Sequence, residues 1–160
     1  MPASVDSPSA ETTSLVHLDC DSEDLALVLK CCDKIDCEAP SWDHLMRAFE
    51  LGERYQFKHI SDLVRSRAIG YIDEPTVVPL FQFAAKNDYL DLAKHAIAAM
   101  SKVIALRRKD FNEIPLSIYE CLPCRYGVAL ILSIEKHRDS GSVPDEVRWK
   151  KISAEFNLGR

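Results

Sequence analysis

The amino-acid sequence predicts an all-α fold of about seven short helices, packed as helical hairpins in one domain over residues 15–160. Apolar residues recur at helical spacing in one segment after another. Acidic residues or serines precede most of these segments as potential helix caps, and prolines separate several of them. Residues 15–18 leave open a short edge strand, and residues 1–14, rich in Ser, Thr and Pro, are predicted to be a disordered tail.

The first two predicted helices begin at residues that can cap them. Asp21 and Asp24 form an acidic version of a capping box, and Ser41 is a favourable N-cap for the second helix. The apolar face of the first helix is predicted to consist of Leu25, Val28, Leu29 and Cys32. That of the second consists of Trp42, Leu45, Met46 and Phe49. Tyr55 and Phe57 are expected to fold back onto the same core.

Three further helices are predicted from their apolar stripes. The third extends from His59 until the Glu74-Pro75 step breaks it, and its stripe consists of Ile60, Leu63, Val64, Ala68, Tyr71 and Ile72. Thr76 is predicted to cap the fourth, which buries Phe81, Ala84 and Ala85 and has Pro79 in its first turn. Asp88 and Asp91 are predicted to cap the fifth, with a stripe of Ala93, Ala96, Ile97, Met100, Val103 and Ile104.

The C-terminal part is predicted to add a short turn and two longer helices. Ser117 and Glu120 have the spacing of a capping box, and Pro123 divides this turn from the helix after it. Residues 126–137 are apolar almost all round, so that helix is expected to be central. After Gly141 and Pro144, the last helix is predicted to bury Trp149, Ile152 and Phe156.

Composition and charge limit the classes of function. The net charge is −5, which disfavours binding to a phosphate backbone, so no nucleic-acid partner is expected. No apolar run approaches the roughly 18 residues of a membrane span, and no basic and apolar leader is present. We therefore expect an intracellular protein, cytoplasmic or nuclear, with reduced cysteines and no membrane partner.

One predicted helical segment, residues 45–63, contains the motif LGERYQF at 51–57. This segment resembles the helical segment of BTB/POZ domains that reads Leu-Ala-x-x-Tyr before apolar positions. Residues 16–32, which lead into LALVL at 25–29, are similar to the strand and helix that precede it. FQFAAKNDYLDLAKHA at 81–96 and LPCRYGVAL at 122–130 resemble the BACK-like helices that follow BTB domains in fungal, basidiomycete-like proteins.

The resemblance implies a non-enzymatic protein-interaction module, an adaptor in ubiquitin-ligase or transcriptional assemblies. It covers only the C-terminal half of the BTB domain, because the family's strand-rich front half has no counterpart before Leu15. A dimer of the BTB type is therefore not expected. An apolar surface left uncovered there would bind the protein partner, and the candidate residues are Leu25, Leu29, Trp42 and Tyr55.

Cysteines support an alternative function, thiol redox chemistry or zinc binding. Cys121 and Cys124 have the two-residue gap of redox and zinc motifs, although their apolar neighbours favour buried structural thiols. A weaker zinc hypothesis combines Cys31, Cys32, Cys37 and His44. Neither is strong enough to predict a metal or cofactor, and no catalytic motif supports an enzyme.

Basic residues near positions 102–109 support a third hypothesis, a helical DNA-binding regulator. The cluster consists of Arg107, Arg108 and Lys109, with Lys102 before it. Positive charge is also favoured at the C-terminal end of a helix, which explains the cluster without a ligand. The last helix carries Arg148, Lys150 and Lys151, but acidic residues nearby offset them.

Overall fold

The computed structural model describes residues 20–32, 41–103, 106, 113–138 and 143–159. Within these ranges there are eight α-helices and no strand, which confirms the all-α prediction. The helices are α1 (Ser22–Cys32), α2 (Trp42–Arg54), α3 (Lys58–Ala68), α4 (Val77–Lys86), α5 (Leu90–Ala98), α6 (Leu116–Glu120), α7 (Cys124–Glu135) and α8 (Asp145–Glu155). Two 3₁₀ turns, Ile69–Tyr71 and Met100–Lys102, extend α3 and α5. The predicted tail at 1–14 and the predicted strand at 15–18 lie outside the described residues.

The caps predicted for α1 and α2 are both formed. The backbone N–H of Asp24 donates to the carboxylate of Asp21 at 2.7 Å. The N–H of His44 donates to the hydroxyl of Ser41 at 3.3 Å. Each bond satisfies a first-turn donor that has no partner inside its helix.

The side-chain caps predicted at Thr76 and Ser117 are not formed. Thr76 precedes α4, but its hydroxyl donates to the carbonyl oxygen of Tyr71 and accepts from the N–H of Asp73 at 3.0 Å, so it holds the preceding turn together. Ser117 lies inside α6, which begins one residue earlier after Pro115. The proline already supplies a fixed backbone angle at the helix start, and no Ser-x-x-Glu box forms.

The hairpins α2–α3 and α4–α5 have the same connecting turn. Gln56 and Asp88 each adopt φ of 59°, the left-handed conformation that commonly ends a helix. In the first turn the N–H of Phe57 donates to the carbonyl oxygen of Gly52 at 2.7 Å. In the second, the residue after Asp88 donates to Ala84 at 2.8 Å. The prediction that Asp88 caps α5 is therefore wrong, because this residue terminates α4.

The helices share one hydrophobic core. The hairpin α2–α3 packs on α1, the hairpin α4–α5 packs on α8, and α8 also contacts α7. The largest fully buried side chains are Trp149, Tyr126, Phe81 and Phe156. This confirms the apolar stripes predicted for α4 and α8. It does not confirm that α7 is buried all round, because Val128 and Leu132 are 49% and 58% exposed.

Candidate functional site

The position of α1 on the hairpin α2–α3 is fixed by one buried side chain and one ion pair. Val28 is buried in the core. The guanidinium of Arg47 on α2 contacts both carboxylate oxygens of Asp24, at 2.6 Å from Nη2 and 3.0 Å from Nε. This hydrogen-bonded arginine holds the pKa of the Asp24 carboxyl below its usual value. The two-pronged contact fixes the orientation of α1 as well as its distance from α2.

The outer side of α1 carries an apolar strip. Leu25 is 38% exposed and Leu29 is 58% exposed. They are four residues apart and therefore neighbours on one helical face. The prediction that they pack inward beside Val28 is wrong, because α2 and α3 cover only the side of α1 that carries Val28 and Asp24. We call Leu25 and Leu29 the α1 strip.

The other two predicted partner-binding residues are half-buried. The ring of Trp42 lies 6.4 Å from that of Tyr71 and 6.2 Å from that of Phe83, at tilted and edge-on angles. These spacings are typical of packed aromatic pairs. Trp42 is thus part of an aromatic cluster that ties α2 to α4, which also includes Phe49 and Tyr89.

Tyr55 ends α2 at the edge of the core. Its ring lies 6.0 Å from that of Phe57, which is 37% exposed. Its hydroxyl is buried and makes no hydrogen bond to any residue that the structure describes. Of the four predicted residues, the structure leaves Leu25 and Leu29 open to solvent and packs Trp42 and Tyr55 against other aromatic rings.

Comparisons with family models, curated proteins and solved structures found no match. The BTB/POZ resemblance stays a prediction from the residues. No helix within the described part of the chain is both long and apolar enough to cross a bilayer.

Cys121 and Cys124 are both free and exposed, which contradicts the prediction of buried thiols. Cys121 follows α6 and Cys124 begins α7, with Pro123 turning the chain between them. Tyr119 on α6 is half-buried, and this burial raises its pKa to about 12. Sequence reasoning identified the pair but not its exposure.

A metal site is not formed by the side chains that the structure describes. No three His, Cys, Asp or Glu side chains converge there in a way that could hold an ion. In the second zinc hypothesis, His44 is exposed at the start of α2. Cys37 and the side chains of Cys31 and Cys32 lie outside the described residues.

The basic residues of α8 do not form one open surface. Arg148 is buried. Lys150 pairs with Glu146 one turn away, at 2.7 Å, and this hydrogen bond lowers the pKa of that carboxyl. Lys151 is exposed. The cluster at 107–109 lies outside the described residues.

Sequence reasoning missed an open cleft of about 660 Å³ between the end of α5 and the start of α8. Its charged lining residues are His95, Lys102, Asp145, Glu146 and Lys150. Lys102 donates to the carbonyl oxygen of Ile72 at 2.7 Å, and the ring Nδ1 of His95 lies 2.7 Å from the carbonyl oxygen of Asp91. Contacts within the chain thus occupy the Lys102 ammonium and the His95 ring nitrogen, and Lys150 pairs with Glu146.

Proposed function

We propose that this chain is a non-enzymatic protein-interaction module that binds a partner protein through the α1 strip. The observation that carries the proposal is the exposure of Leu25 and Leu29 on a helix whose other side is anchored by Val28 and the Asp24–Arg47 pair. Exposed apolar side chains on a rigid helix gain free energy when a partner removes them from water.

The BTB/POZ resemblance supports this function from a separate direction. In that family the segment similar to residues 16–32 belongs to a domain that binds other proteins. A partner protein bound on the α1 strip fits an adaptor in a ubiquitin-ligase or transcriptional assembly, inside the cell. This assignment rests on the resemblance, whereas the binding surface rests on the exposed leucines.

The test is affinity capture from cell extract with three forms of the full chain. These are the original sequence, a double variant with Leu25→Ser and Leu29→Ser, and a control with Leu116→Ser. Leu116 is 74% exposed on α6, so its replacement lowers surface apolarity at a site outside α1. We expect a protein that the original and the control retain and the double variant loses by at least about tenfold, as loss of two buried leucines implies. Equal retention by all three forms, or by none, contradicts the proposal.

The exposure of Cys121 and Cys124 favours a second candidate function, thiol–disulfide exchange. One thiolate would attack a disulfide of a partner molecule, and the other would then displace it, so that both cysteines form a disulfide and the partner leaves as two thiols. Alkylation followed by mass spectrometry tests this in the folded protein. A disulfide between residues 121 and 124 after exposure to oxidised glutathione supports exchange, and two alkylated thiols under those conditions exclude it.

A further inference from the structure

A second apolar surface lies on α7, on the side away from its core. Val128 is 49% exposed and Leu132 is 58% exposed, and Ile131 between them is half-buried. With about 100° between successive residues, these side chains share the half of the helix opposite the buried Tyr126 and Leu130. We call Val128, Ile131 and Leu132 the α7 strip.

The border of the α7 strip has room for a second helix. A Cβ atom added to Gly127 would meet no atom within 4 Å. Cys124, Val128, Ile131 and Glu135 are spaced at intervals of four, three and four residues, which is the spacing of a helix-pairing seam. A glycine beside such a seam lets a large side chain of the opposing helix approach the backbone closely.

The charges at the two ends of the strip are opposite and equally distant from its centre. Arg125 lies near the start of α7 and Glu135 at its end, ten residues or about 15 Å apart. In an antiparallel pair of identical helices related by a two-fold axis near residue 130, each Arg125 lies opposite Glu135 of the other copy. The same operation places Val128 of each copy against Ile131 and Leu132 of the other.

Both charged groups have capacity for another partner. The Arg125 side chain is 55% exposed and contacts Asp88 through Nη2, which leaves other guanidinium N–H groups for a second carboxylate. Oε1 of Glu135 is buried and makes no hydrogen bond to the described residues, so a second cation would contact the other carboxylate oxygen of this side chain, which is 34% exposed. Its other oxygen is 3.7 Å from Nη1 of Arg138, which is longer than a hydrogen bond.

We propose that the α7 strip binds the same strip of a second copy of this chain, with the two α7 helices antiparallel and Arg125 of each facing Glu135 of the other. A single helix pair is a small interface, so the dimer is weak and forms at roughly 100 µM. The dimer uses α7 and leaves the α1 strip free. Its failure in the experiment below would therefore not contradict the proposed function, and the reverse also holds.

Sedimentation equilibrium of the full chain across a concentration range tests the proposal. We expect a reversible monomer–dimer equilibrium, with a dissociation constant at least about tenfold higher for Val128→Asp, since a carboxylate would be buried at the centre of the pair. The matched control is Val147→Asp on α8, where the valine is 42% exposed and the dissociation constant stays unchanged. Circular dichroism melts verify that each variant is folded, and Leu132→Lys provides a second disruption.

Charge reversal tests the antiparallel arrangement. Arg125→Glu and Glu135→Arg each place like charges opposite one another and should weaken the dimer about three- to tenfold, whereas the double variant restores it. The double reversal does not restore the contacts to Asp88 and Arg138 within each chain, so recovery identifies contact between copies. A chain that stays monomeric up to about 1 mM overturns the proposal. So does a dimer that Val128→Asp leaves intact, or a double reversal without recovery.

Discussion

Replacing Gln56 by glycine is expected to stabilise the protein by about 0.5 to 1 kcal/mol, because Gln56 holds a positive φ at the end of α2. The left-handed conformation costs an ordinary L-residue about 1 to 2 kcal/mol, and glycine adopts it without that cost. Part of the gain is offset, because glycine has more conformational freedom to lose on folding. The Gln56 side chain is exposed, so its removal leaves the core intact.

Asp88→Gly is the matched substitution, since Asp88 has the same φ in the equivalent turn of the α4–α5 hairpin. Its carboxylate accepts a hydrogen bond from the hydroxyl of Tyr126 at 2.9 Å and contacts Nη2 of Arg125 at 2.9 Å. Losing a hydrogen bond to a charged acceptor costs about 1.5 to 3 kcal/mol, and aspartate tolerates positive φ better than glutamine does. The net expectation is a loss of about 1 to 2 kcal/mol.

Urea unfolding followed by circular dichroism measures both changes as shifts of the midpoint at constant slope. A shift of 1 kcal/mol corresponds to about 2 to 4 °C in the thermal midpoint for a chain of this size. We expect the two substitutions to change the free energy of unfolding in opposite directions. If both substitutions stabilise the protein, the contacts from Asp88 to α7 contribute less free energy than the relief of backbone strain. If Gln56→Gly destabilises the protein, Gln56 does not hold a strained positive φ in this turn.

Substitutions at three further residues test the core, the pH dependence and the anchoring of α1. Trp149→Ala should lower the free energy of unfolding by about 3 to 5 kcal/mol, measured in urea, because the indole is fully buried. Trp149→Phe should cost much less, since the indole N–H makes no hydrogen bond to the described residues. Burial raises the pKa of Tyr119 to about 12, so above pH 10 the unfolded chain loses this proton before the folded protein does, and stability should fall as pH rises. Tyr119→Phe should make the thermal midpoint depend less steeply on pH in alkaline melts. Arg47→Ala should raise the pKa of Asp24 toward 3.8, because it removes the hydrogen-bonded cation that favours the ionised carboxyl. Carboxyl NMR measures this pKa.

The all-α fold was predictable from the sequence, and so were the caps of the first two helices. Asp21 and Ser41 cap helices whose first turns begin within three residues of them, so the sequence contains both partners side by side. Asp88 has the same spacing from Asp91, but its partner Tyr126 is 38 residues away in sequence. A cap and a contact between distant helices look alike in a sequence, and only the fold distinguishes them.

Periodicity predicted the helices but not which of their faces are covered. On α1 it grouped Val28 with Leu25 and Leu29, and only Val28 is buried. On α7 it predicted a central helix, yet Val128 and Leu132 face solvent. The spacing of apolar residues defines a shared face, whereas burial depends on which helices pack against it. The spacing therefore identified Leu25 and Leu29 as an apolar pair, but it did not show that Trp42 and Tyr55 pack against other aromatic rings.

The most direct test of the proposed partner binding is photo-crosslinking in cells with a benzophenone amino acid at position 29, compared with the same group at position 116. Leu29 is on the α1 strip, and Leu116, the more exposed of the two, is on α6. We predict that position 29 forms a covalent adduct with one protein partner, that Leu25→Ser abolishes this adduct, and that position 116 does not form it. An adduct profile that is the same at both positions, or the absence of any adduct at position 29, contradicts a partner-binding role for α1.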